Sequence, residues 1–114
     1  MTKRLPIFSN LILVLQVFLV LLCFADLNSL PSPVLFAGRL HPVILHLPIT
    51  LILLLLPFSL FVAKRKQQKN ITTIFDLMLH CIALVSTLTA ITGFFLAAGG
   101  GYDADSLVFH KWLG

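Results

Sequence analysis

The sequence predicts an all-α membrane protein, with three transmembrane helices plus the start of a fourth in an antiparallel bundle. Three observations predict it. Of 114 residues, 59% are hydrophobic and 11% charged, where a soluble domain carries roughly 25% charged residues. The apolar residues gather in three runs, each approaching or exceeding the roughly 20 residues that cross a bilayer. The cations fall in short segments beside those runs. A water-soluble globular enzyme and a disordered tail are both excluded. Lys64, Arg65, Lys66 and Lys69 supply half of the eight Lys and Arg, so the net charge of +4 reads as a topology signal and not as a nucleic-acid surface. Glu is absent, and acid–base chemistry would have to come from four Asp and four His.

The first run covers residues 7–25, with Asn10 and Gln16 its strongly polar members. A secretory signal is the competing reading, but the apolar core is long and no small-x-small cleavage site stands near Cys23, Phe24 and Ala25. The second run, residues 42–63, and the third, residues 77–98, are uncharged, with Asp76 just before the third. At roughly 1.5 Å per residue, about 22 residues cover about 33 Å, enough to span with slight tilt. Gly99, Gly100 and Gly101 then predict a tight turn. Asp105 or Ser106 is expected to cap a last helix. Leu107, Val108, Phe109, Trp112 and Leu113 begin an apolar run that stops at Gly114, so the chain reads as truncated at the start of a fourth helix. Cys23 and Cys81 are expected near opposite membrane faces, beyond disulfide reach and packed as small apolar residues.

Orientation follows from the cations. Lys3 and Arg4 precede the first helix and the 64–69 loop joins the second and third. The positive-inside rule places the N-terminus and that loop in the cytoplasm and the other two connections outside.

Segment 38–49 carries the chemistry: Gly38, Arg39, His41, Pro42, His46 and Pro48. Pro42 suits the first position of a helix, which pushes His41 toward extended geometry at the cap. Pro48 cannot donate to the carbonyl of Ile44, so a kink is expected beside His46. An ionisable residue inside a membrane usually faces the bundle interior and marks a site. Topology returns His110 to the same face, so His41, His46 and His110 converge at the outer leaflet while His80 stands apart. His41 and His46 are five residues apart, about 140° around a helix, which is poor for chelation by the two alone. His46 and His110 on facing helices suit the two axial positions of a b-type haem, with Arg39 placed for a propionate. Each histidine also has a structural reading: capping for His41, an interhelical hydrogen bond for His46, interfacial polarity for His110, and packing near Asp76 for His80. Ser86, Ala90, Gly93 and Ala97 form a small-residue stripe that favours close helix packing over ring binding.

The His-Pro and His-x-Pro elements within residues 38–54, together with Gly100-Gly101-Tyr102-Asp103 and His110-Lys111-Trp112-Leu113-Gly114, resemble a bacterial membrane-domain family catalogued as domain of unknown function 2231. The particular motifs are similar to versions fused to planctomycete-type cytochrome c domains. The resemblance covers residues 36–114, leaving 1–35 as an N-terminal signal-anchor helix and outer linker. It implies a compact bundle of about four helices with a membrane redox or haem-associated role, and His41, His46 and His110 match the family's histidine positions. No Cys-x-x-Cys-His is present, so no covalent haem is expected on this chain.

The leading expectation is therefore a multi-pass inner-membrane electron-transfer module. In it, b-type haem is held by His46 and His110 (candidate iron ligands), with His41 and Arg39 beside them. It would work in the bilayer with periplasmic cytochrome c or respiratory membrane proteins, without substrate turnover. The alternative is a non-redox membrane subunit or anchor with structural histidines. A third is a periplasm-facing metal site built from His41, His46 and His110.

Overall fold

The computed structural model describes residues 5–27, 29–64 and 69–113. Its helices are α1 (Leu5–Phe24), α2 (Ser32–Arg39), α3 (His41–Lys64), α4 (Lys69–Ala98) and α5 (Ala104–Leu113), and the described residues contain no strand. Three helices are long and apolar enough to cross a membrane: Pro6–Phe24, His41–Lys64 and Lys69–Ala98, with mean hydropathies of 2.6, 2.4 and 2.0. Their outer surfaces carry exposed apolar side chains such as Leu13, Val17, Leu53 and Leu56. In water such a surface would be costly; in lipid it is the required solvent-facing layer. This is an all-α membrane protein.

α4 is the central element, packed against α1, α2 and α3. At 30 residues it is about 45 Å long, and it starts eight residues before the apolar run that announced it. Its first turns hold Lys69, Asn70, Thr72 and Thr73, and the two threonine hydroxyls donate to the carbonyl of Lys69. The threonine side chains of these turns are satisfied within the helix, which hydropathy does not register. The buried apolar core is small: Ile12 and Leu22 of α1, Val62 of α3 and Ile91 of α4. Phe58 stacks on Phe61 and on Phe75, with ring centroids 6.3 and 6.2 Å away, tying α3 to α4 near their lysine-bearing ends.

α2 was not expected; it crosses residue 35, where the linker was drawn. Pro31 caps it with an extended backbone (φ −63°, ψ 148°), and its carbonyl accepts from Val34 and Leu35. Pro33, fixed near helical φ, sits in its first turn where no N–H is needed. Gly38 is the reason α2 lies on α4. A Cβ at this position would stand 2.5 Å from the Leu96 nitrogen and 2.6 Å from the Phe95 carbonyl carbon. Backbone meets backbone, a contact that any side chain would push apart.

α2 runs into α3 through Leu40, whose carbonyl accepts from Val43 and Ile44. His41 is therefore the first residue of α3 and not an extended cap residue, and Pro42 follows it in the first turn. The bias that proline imposes on its predecessor is outweighed by the tertiary hydrogen bond that His41 makes. α3 continues through Pro48 and Pro57 to Lys64.

At the other end of α4, Gly100 and Gly101 adopt positive φ (77° and 87°), as the predicted turn requires. The cap of α5 is Asp103 and not Asp105 or Ser106: its Oδ2 accepts the Ser106 N–H at 2.9 Å. That bond, with help from the Ser106 hydroxyl, holds the Asp103 carboxyl below its usual value of 3.8. Lys111 donates to the carbonyl of Cys23 and lies 5.8 Å from the centre of the Phe94 ring, while Trp112 meets Phe24 edge-on at 6.4 Å. An ammonium thus caps the carboxyl end of α1, where helix carbonyls lack partners and the dipole is negative. Cys23 and Cys81 are free, and Cys81 is exposed rather than packed away. Of the basic segment, Lys64 ends α3 and Lys69 begins α4; residues 65–68, like Lys3 and Arg4, lie outside the described residues.

Candidate functional site

α1 ends, α3 begins and α4 ends at the same end of the bundle, and α5 folds back onto it through Lys111 and Trp112. This glycine end gathers His41, His46, His110 and Arg39. His80 lies farther along α4. The four imidazoles have different partners, and those partners define what each can do.

His41 is half-buried. Its Nδ1–H donates to the Thr89 carbonyl at 2.8 Å, with the Thr92 hydroxyl oxygen 3.4 Å away. The ring lies over Gly93, where a Cβ would approach its Cε1 to 3.0 Å. The small-residue stripe therefore receives a side chain of α3 in the interhelical gap. His41 fastens α3 to α4, and a carbonyl acceptor at Nδ1 puts the proton there and the lone pair on Nε2.

His80 fastens α1 to α4 in the same manner. Its Nδ1–H donates to the Asp76 carbonyl at 2.7 Å, so Nε2 is the acceptor for the Ser9 hydroxyl at 2.8 Å. The partner on α4 is the backbone of Asp76, not its carboxylate. The one signal Ser9 offered in the sequence was its place early in an apolar helix, where a hydroxyl needs an acceptor.

His46 differs. It is exposed on the flank of α3 and does not face the bundle interior of this chain; its Nδ1–H donates to the Pro42 carbonyl one turn earlier at 2.7 Å. The carbonyl of His46 accepts from the Thr50 hydroxyl at 2.8 Å. The ring is thus held by its own helix with Nε2 and its lone pair directed away from that bond. This arrangement, a carbonyl on Nδ1 and a free Nε2, is the tautomer that metal-ligating histidines adopt.

His110 is exposed on α5 and has no hydrogen-bond partner among the described residues. The hollow beside it is lined by Asp105, Ser106, Phe109 and Leu113 of the same helix, so His46 does not share it. Arg39 is exposed at the last residue of α2. Among the described residues, no group of three or more His, Cys, Asp or Glu is arranged to hold a metal ion. His41, His46 and His110 share an end of the bundle without forming a three-histidine site.

No family model, no curated protein and no solved structure matches this chain.

Proposed function

We propose that this chain is the membrane module of an electron-transfer assembly. In this reading His46 would be the principal nitrogen donor to a b-type haem, with His110 a second candidate donor from the same end of the bundle. One observation carries it: His46 is exposed on the flank of a membrane helix with its Nδ1 proton committed to Pro42 and its Nε2 left open. An imidazole nitrogen left open at that depth is expensive in hydrocarbon and calls for an occupant. The donor chemistry fits haem iron, which takes imidazole nitrogen. A bound haem would supply one-electron transfer. His46 would orient it, the Pro42 carbonyl would strengthen His46 as a donor, and Arg39 would neutralise a propionate. The resemblance to the family of domain of unknown function 2231 points the same way. With the basic segment in the cytoplasm, the histidine end would face the periplasm of a bacterial inner membrane and a cytochrome c there.

A second reading, a non-redox anchor subunit, is favoured by His41 and His80, whose nitrogens serve to join helices. The reduced-minus-oxidised absorption spectrum of the protein purified from haem-replete membranes separates the two. Haem proposes b-type bands that disappear in His46→Ala and persist in His80→Ala. A folded wild-type protein with no bands leaves the anchor as the function.

A further inference from the structure

Gln16 is a carboxamide near the middle of α1 that the fold leaves without a partner. It is exposed, it has no hydrogen-bond partner among the described residues, and it borders an open hollow between α1 and α4 beside Ser9, His80 and Ala83. Ser9 spends its hydroxyl proton on His80, and neither residue makes a hydrogen bond to Gln16. A primary amide offers two donors and an oxygen acceptor. Facing hydrocarbon alone, it loses the hydrogen bonds that water would have made.

We propose that two copies of this chain associate along α1, with Gln16 of one copy hydrogen-bonded to Gln16 of the other across a two-fold axis normal to the membrane. The carboxamide is its own complement: each N–H donates to the other's carbonyl. Copies inserted in the same orientation present Gln16 at the same depth, so the pairing needs no adjustment of register, and an isologous contact brings identical residues together. The flanking positions suit a helix seam. Leu13, Val17 and Val20 follow at spacings of four and three residues and are 59%, 54% and 57% exposed, the alternation that two helices use to interdigitate. The two valines are stiff and lose little rotamer freedom on packing. Asn10 is 120° or so away around the helix and takes no part.

The test is association of the full chain, labelled with donor and acceptor fluorophores at its N-terminus, in nonionic detergent micelles at varied protein-to-detergent ratio. Energy transfer should rise with protein mole fraction, weaken about tenfold in Gln16→Leu, and be retained in Gln16→Asn. Ser9→Ala, which breaks a bond within one copy, should leave association unchanged. Helical content by circular dichroism checks that Gln16→Leu is folded, as its greater hydropathy favours. A wild-type chain monomeric at every ratio overturns the proposal, as would be expected if the hollow instead takes a lipid-borne small molecule. Association indifferent to Gln16→Leu, or lost equally in Ser9→Ala, also overturns it.

Discussion

α4 is gripped on two seams built in different ways. Where α2 and the first turn of α3 meet it, the contact is backbone-close: Gly38 lies against Phe95 and Leu96, and the His41 ring fills the space over Gly93. Where α1 meets it, no glycine contact is involved and side chains carry the seam: Ile12 and Leu22 are buried and the Ser9–His80 bond is the polar link. Both seams use an imidazole to join two helices. They differ in what surrounds it. A membrane gives helices little apolar driving force to associate, since lipid tails are as apolar as Leu, so shape and hydrogen bonds decide. The first seam has both, and a single added carbon breaks it. The second can absorb changes by letting flexible side chains move.

The largest effect should come from Gly38→Ala. Its Cβ would clash with backbone atoms that have no rotamer to change, so about 3 kcal/mol of stability should be lost, measured by denaturant titration in mixed micelles. An undiminished midpoint would mean that α2 is not held as close as described. His41→Ala should cost about 1–2 kcal/mol through its lost bond to Thr89 and the space left over Gly93. Gly93→Ala should be destabilising in the wild type and close to neutral once His41 is Ala. A double-mutant cycle with no coupling would separate the two residues. On the second seam, Ser9→Ala should cost about 0.6 kcal/mol, the average for an interhelical bond in a membrane bundle, and nothing further when His80 is already Ala.

The smallest effect lies outside both seams. The Ser106 N–H lowers the Asp103 pKa in the folded chain, so the ionised cap stabilises α5 above the carboxyl's ordinary value. That stabilisation fades as pH falls through the lowered one. Helicity of α5, followed by amide exchange at Ser106, should fall at strongly acid pH in the wild type. Asp103→Asn, which caps without ionising, should flatten that dependence.

The three long helices were legible because their signal is local: about twenty apolar residues in a row have few alternatives in a bilayer. The glycine turn was legible for the same reason. α2 was not, because eight residues with two prolines nearby look like a linker until Gly38 is seen against α4. The extra turns of α4 were hidden by polar residues, among them two threonines whose hydroxyls bond back to Lys69. His80 was rightly set apart from the other histidines, but its partner was not visible. Ser9 is 71 positions away, and no spacing rule links them.

The sequence by itself determined that this chain lives in a membrane, how many long helices it has, and that three histidines belong to one end of the bundle. Composition and the alternation of apolar runs with turns are properties of the chain alone, and they decide those points. The tertiary structure decided what each histidine does. His41 became a link between α3 and α4, His80 a link between α1 and α4, and His46 an open donor held by its own helix. A tautomer depends on the acceptor that a ring nitrogen meets, and for His41 and His80 one partner comes from another helix, brought into range only when the helices pack.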